Sequence, residues 1–104
     1  MAGKLGTAAP PAATYTTLAT IPKDMTINIR GVNRDQINAV TIRLAISPAA
    51  TAPAAPAVTD FIEPLDLVLP AGGVLEETGI AVSQGEVVTV FNSAATVTWR
   101  AHGR

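Results

Sequence analysis

The sequence contains no cysteine and a single histidine, and aromatic residues make up only 4% of its 104 residues. Without cysteine the chain has no disulfide framework, no thiolate zinc site and no thiol nucleophile. His102 falls on the polar face of the last predicted strand, and no nucleophile and carboxylate are spaced to complete a catalytic triad with it. The sequence therefore predicts a protein that is not an enzyme and that binds no cofactor or metal.

Long apolar runs and clusters of one charge are also missing. No run approaches the roughly 20 apolar residues of a membrane-spanning helix, and the N-terminus lacks the pattern of a signal peptide. Seven basic residues nearly balance eight acidic ones, which disfavours binding to a phosphate backbone. We therefore expect neither a membrane nor a nucleic acid as partner, and we expect synthesis in the cytoplasm.

What the sequence does contain is alternation with a period of two residues, most clearly between residues 24 and 47. Apolar residues alternate with polar ones over 25–30 and again over 40–47, on either side of a polar loop at 31–38. Such alternation is typical of half-buried strands, and the intervening turn residues predict that the two strands form an antiparallel hairpin.

Shorter runs of β-forming residues continue along the chain. Beside the hairpin, strands are predicted at 14–20, 60–69, 74–78, 80–82, 86–92 and 95–102. Pro64 predicts an edge strand or a bulge, and Gly79 a break. Six to eight short strands with turns about every ten residues predict an all-β fold, a small antiparallel β-sandwich or barrel.

Strand 86–92 is apolar on both faces, which is typical of a central strand or of one whose outer face meets another subunit. The core should consist of Val, Ile and Leu, with Phe61, Phe91 and Trp99 as its few large members. The arginines are predicted to pair with glutamates across strands or between subunits, in preference to forming a basic stripe. The stripe would comprise Arg30, Arg34, Arg43 and Arg100.

Two stretches without periodicity accompany the single predicted domain at 14–104. Residues 1–13 form a predicted flexible N-terminal arm, either disordered or ordered against a neighbouring subunit. Residues 47–57 contain three prolines and six alanines and predict an extended loop, either a contact element or disordered. The side chains predicted to contact other subunits are Leu5, Pro10, Pro11, Tyr15, Pro53, Pro56, Val87 and Phe91.

Taken in order, these segments resemble a family of small virion structural proteins of tailed bacteriophages. The resemblance is carried by LGTAA at 5–9, INIRGVNR at 27–34, VTIRLAIS at 40–47, DFIE at 60–63, LPAGGVLEETGI at 69–80, SQGEV at 83–87 and VTWRAHG at 97–103. It implies a non-enzymatic protein of the virion, assembled in the host cytoplasm. Its partners would be other virion proteins: the major capsid, neck or tail proteins.

The resemblance leaves several places in the particle open. We expect a multicopy decoration or cement protein that stabilises the capsid, with a neck, tail or baseplate-fibre attachment protein as the alternative. A homo-oligomer, most plausibly a trimer, would let small interfaces add up. A fibre-borne ligand-binding module is a further alternative, but it calls for exposed aromatic residues along a groove, and the chain has one Trp, one Tyr and two Phe.

Overall fold

The computed structural model describes residues 3–48 and 56–104. Within these residues the chain forms eight strands and one short 3-10 turn, Val58–Asp60. The strands are β1 (Gly3–Ala8), β2 (Thr16–Thr20), β3 (Met25–Asn33), β4 (Val40–Ser47), β5 (Leu67–Leu69), β6 (Val74–Val82), β7 (Val87–Asn92) and β8 (Val97–Gly103). No helix in this part of the chain has the length and hydropathy that a membrane crossing requires.

The described strands form two antiparallel sheets of four strands each. Sheet A has the order β1-β8-β3-β6, and sheet B has the order β2-β7-β4-β5. Each strand of the first half of the chain pairs with its counterpart from the second half, β1 with β8, β2 with β7, β3 with β6 and β4 with β5. Eight antiparallel strands rolled up in this way form a jelly roll, so the predicted all-β sandwich is confirmed.

The two strands predicted between residues 24 and 47 are confirmed, but the prediction that they pair with each other as a hairpin is wrong. β3 lies in sheet A between β6 and β8, whereas β4 lies in sheet B between β5 and β7. Alternation tells which side chains share a face, but it does not identify the neighbouring strand. Residues 34–39 are therefore an arch from one sheet to the other.

The predicted flexible arm is also corrected, because residues 3–8 form strand β1. This strand pairs with β8 from Gly3 opposite Gly103 to Ala8 opposite Trp99. Small residues are required here for a steric reason: a Cβ atom on Gly6 would lie against the carbonyl oxygen of Leu18 in β2. The edges of the two sheets approach each other at this point, and the small side chains reflect that approach.

Two predicted strands differ from those observed. Within 60–69 only Leu67–Leu69 is a strand, and Phe61 makes a single bridge to Ala45. Gly79 does not end a strand, because β6 continues to Val82 through a bulge in which Gly79 has a φ of 69°. Glycine adopts this left-handed conformation without strain. Of the predicted loop 47–57, residues 49–55 lie outside the described residues.

The core fills the space between the two sheets. Its branched aliphatic members include Ile42, Leu44 and Val90, which are fully buried, and Trp99 is its largest side chain at 0% exposure. Trp99 is thus confirmed as a core residue. Phe61 and Phe91 are not core residues, because they lie on the outer side of sheet B and are only half-buried.

Candidate interaction surfaces

The outer face of sheet A is an open polar surface. Residues directly opposite each other in antiparallel strands point to the same side of the sheet. The strand register therefore shows which residues lie on this face. We call the sheet A face the set of polar residues Lys4, Thr7, Thr26, Asn28, Arg30, Glu76, Thr98, Arg100, His102 and Arg104, which share this side of the sheet with Val32, Val74 and Ala81. One row across the strands is Lys4, His102 and Asn28, and the next is Thr7, Arg100, Arg30 and Glu76.

This face carries an excess of positive charge. Four of the seven Lys and Arg residues of the chain lie on it, beside one of the eight acidic residues, Glu76. The rest of the chain holds the other three basic and seven acidic residues, and the whole chain has a formal net charge of −1. The sheet A face is therefore more positively charged than the rest of the chain taken together.

Arg30 and Arg100 are directly opposite each other on neighbouring strands. A like-charge pair in this position disfavours folding, by up to roughly 1 kcal/mol. Glu76 offsets part of this effect, since its carboxylate lies 3.7 Å from the Arg30 guanidinium, as the predicted cross-strand pairing requires. Within residues 3–48 and 56–104, no carboxylate lies within 4.0 Å of a charged nitrogen of Lys4, Arg100 or Arg104.

A pocket of about 390 Å³ lies at one corner of the sheet A face. Its lining residues are Thr26, Asn28, Gly79, His102, Gly103 and Arg104. The Asn28 Oδ1 atom accepts the backbone N–H of Gly79 at 2.9 Å, so the bulge in β6 fixes the orientation of this amide. Backbone bonds of 3.0 Å in both directions between Thr26 and Arg104 hold the end of the last strand beside it.

The outer face of sheet B, in contrast, is covered by the chain itself. The segment 57–66 runs beside β4: Phe61 bridges Ala45, the Ile62 N–H donates to the Leu44 carbonyl at 3.0 Å, and the Ser47 hydroxyl donates to Asp60 at 3.1 Å. Ala45 of β4 and Thr89 of β7, which lie opposite each other on this side of the sheet, are each only 1% exposed. β7 is the central strand that its apolar residues predicted.

An aromatic cluster with an ion pair lies at the edge of this cover. Tyr15 packs against Phe91 with 4.9 Å between ring centroids, and Arg43 lies 4.7 Å above the Phe91 ring. The Arg43 guanidinium donates to both carboxylate oxygens of Asp66, at 2.8 and 3.2 Å, and to the Tyr15 hydroxyl at 2.8 Å. The hydrogen bonds to Asp66, and after them the bond to Tyr15, raise the pKa of Arg43. In turn, the Arg43 guanidinium lowers the pKa of Asp66.

We expect the variant Asp66→Asn to lower the melting temperature near neutral pH. The folded-state pKa of Asp66 lies below its unfolded value of about 3.9, so the contribution of the pair is present above that pH. It is lost as the pH falls through the folded-state pKa, and the difference between variant and wild type should disappear in acid. Thermal unfolding followed by circular dichroism across this pH range measures the effect.

The matched control is Glu76→Gln, whose longer contact to Arg30 involves two side chains that are both more than half exposed. It should change the melting temperature less than Asp66→Asn does, since exposed ion pairs contribute little. An Asp66→Asn difference that persists unchanged in acid would contradict the role of the carboxylate.

The cover also presents apolar side chains to solvent. Ile62, Leu65 and Val68 are 40%, 53% and 60% exposed, and Val58 at the start of the segment is 84% exposed. Exposed apolar side chains are candidate contact sites where they form a continuous patch. Here they lie beside the carboxylates of Asp60, Glu63 and Asp66.

The side chains predicted to contact other subunits do not form one surface. Tyr15 and Phe91 meet in the cluster, and Pro53 lies outside the described residues. The remaining side chains occupy separate places. Leu5 packs against the core, Pro10 and Val87 are buried, Pro56 is half-buried and Pro11 is exposed.

The arginine stripe, which the sequence disfavoured, does not form, because Arg30 and Arg43 lie on different sheets. The sheet A face was not predicted from the sequence, although one signal was present. Residues 100, 102 and 104 are basic or histidine at alternate positions, which places them on one side of a strand. The register then brings Lys4 beside His102.

Comparisons with protein-family models, with curated proteins and with solved structures found no match to this chain. Among the described residues, no group of three or more His, Asp or Glu side chains is placed to hold a metal ion.

Proposed function

We propose that this chain is a non-enzymatic structural protein of a tailed-bacteriophage virion, a multicopy decoration protein that docks on the capsid and stabilises it. The observation that carries the proposal is the jelly-roll strand order, an architecture that recurs in viral capsid domains. It occurs in a chain whose sequence, from residue 5 to residue 103, resembles small phage virion proteins. Because one fold hosts many functions, the surfaces must supply further support.

The distribution of side chains favours a docking role. The space between the sheets is filled by large buried residues such as Trp99, Ile42 and Leu44. Recognition is therefore left to the outer surfaces, of which the sheet A face is open and charged. A small domain that offers a flat polar sheet on one side fits attachment to a larger assembly.

The ligand-binding alternative receives less support. All four aromatic residues of the chain lie in its described part. Trp99 is buried in the core, and Tyr15 packs against Phe91 and Phe61 within the cluster. A carbohydrate-binding groove uses aromatic side chains that are free to stack on a ligand. The neck, tail and fibre-attachment sites remain the second candidate, and a trimeric state remains a prediction.

Deletion of the gene from the phage tests the decoration role. We expect particles that assemble with intact tails but release their DNA at a lower temperature than wild-type particles, because a decoration protein reinforces a finished shell. Adding the purified chain back should restore the thermal stability of the heads. Particles without tails, or particles that fail to adsorb to the host, would contradict decoration and support the attachment role instead.

A further inference from the structure

We propose that the sheet A face is a docking surface for a carboxylate-rich protein surface, and that the pocket beside Asn28, His102 and Arg104 receives one acidic side chain of that partner. The inference rests on the proposed function for its setting, since the partner would then be another virion protein. It goes beyond that function by naming the face that docks, the chemistry of the partner and the point of closest recognition.

The charge of the sheet A face is complementary to that of an acidic partner. The sheet A face has four Lys and Arg residues against one Glu, whereas the remainder of the chain has three against seven. A surface of one sign steers partners of the opposite sign and repels partners of its own. The face therefore favours an acidic partner surface over a basic one.

The cross-strand pair of Arg30 and Arg100 also favours an acidic partner. Like charges directly opposite each other disfavour the folded chain when it stands alone. An acidic group placed between the two guanidinium groups would remove this repulsion and gain charge-assisted hydrogen bonds. The pair thus stabilises the complex more than the free protein, which is what a docking site requires.

The residues that line the pocket carry hydrogen-bond donors that suit an acidic side chain. Because Oδ1 of Asn28 is occupied by the Gly79 N–H, the Nδ2 group is left as a donor, and it has no acceptor among the described residues. Arg104 and His102 add nitrogen groups on the same side, and Thr26 adds a hydroxyl. A concavity lined by residues with amide, guanidinium and hydroxyl groups suits a carboxylate.

A nucleic acid fits this face less well than an acidic protein does. Single-stranded nucleic acids are bound by basic grooves with aromatic side chains that stack on the bases, and the aromatic residues of this chain lie in the core or on sheet B. Glu76 stands in the same row as Arg30 and Arg100.

The test measures binding of the purified chain to a labelled glutamate decapeptide and to a labelled DNA duplex, by fluorescence anisotropy at low salt. We expect the wild type to bind the peptide more tightly than the duplex, and to lose affinity as salt screens exposed charges over about 10 Å. Arg100→Glu should weaken peptide binding about tenfold, the effect of losing one hydrogen bond to a charged group. Asn28→Leu should also weaken peptide binding, because it removes the Nδ2 donor from the pocket.

The matched control is Lys23→Glu, which makes the same change of charge at an exposed residue between β2 and β3 that belongs neither to the face nor to the pocket lining. It should leave peptide affinity within about twofold. Arg100→Glu places opposite charges across from each other, so its melting temperature should equal or exceed that of the wild type. Loss of binding in this variant therefore cannot be ascribed to unfolding.

Three results would overturn the inference: no binding of the peptide by the wild type at low salt, equal effects of Arg100→Glu and Lys23→Glu, or tighter binding of the duplex than of the peptide. These experiments use the isolated chain, so they can fail while the virion role stands. Conversely, absence of the protein from phage particles would refute the virion role and leave the docking chemistry intact.

Discussion

Replacing Trp99 with alanine should lower the free energy of unfolding by about 3–5 kcal/mol, the range for large aromatic side chains removed from a core. Trp99 is fully buried, and its Nε1–H donates to Oδ1 of Asn92 at 3.1 Å. A Cβ atom on Gly31 in the neighbouring strand would lie 2.8 Å from the indole ring, so the ring packs directly on that backbone. Removal would leave a cavity and an unpaired buried amide oxygen. Urea denaturation measures the loss.

The control for Trp99→Ala is Thr98→Ala, one residue away on the outer face of the same strand. A surface substitution of this kind should change the stability by no more than about 0.5 kcal/mol. If the two variants lost equal stability, Trp99 would not be the centre of the core.

Replacing Gly6 with alanine should detach β1 from the sandwich and lower the stability by about 1–3 kcal/mol or more, the usual range for overpacking. The added Cβ atom would lie against the carbonyl group of Leu18, which is backbone and cannot rotate away as a side chain does. Hydrogen exchange should show lost protection of the amides of residues 3–8, together with faster exchange along β8, whose edge β1 covers.

Gly3→Ala is the matched control in the same strand, because a Cβ atom there meets nothing within 4 Å. Its exchange and stability should match those of the wild type. If Gly6→Ala behaved like Gly3→Ala, residues 3–8 would be the loose arm that the sequence predicts and not a strand of sheet A.

The alternation of apolar residues predicted the faces of the central strands correctly. Ile27 and Ile29 in β3, and Ile42 and Leu44 in β4, are all buried, as their spacing requires. The partners of these strands could not be predicted in the same way, because a period of two residues is identical for a hairpin and for strands that cross between sheets. The jelly-roll winding is set by long-range packing that local patterns do not encode.

The N-terminal strand was missed for a different reason. Gly3, Gly6 and Ala8 resemble a flexible linker when taken alone, since small residues allow many backbone conformations. In the fold, Gly6 permits the close approach to β2, and a Cβ atom on Gly103 would lie 2.9 Å from Leu5. The small size of Gly6 and Gly103 meets a steric requirement that appears only in the folded sandwich.

The sheet A face could not be predicted from the sequence, because it brings residues from the two ends of the chain together. Lys4 and His102 are neighbours only through the pairing of β1 with β8. Likewise, the outward positions of Arg30 and Arg43 were predicted correctly, but their strands belong to different sheets. Only the topology shows which charges share a surface.

The most direct test of the virion role is quantitative mass spectrometry of phage particles purified by density gradient from the host that carries this gene. A structural protein of the particle should sediment with it and be present in many copies, at a constant ratio to the major capsid protein. Recovery of the chain only in the soluble fraction of the lysate, with none in the particles, would contradict the proposal.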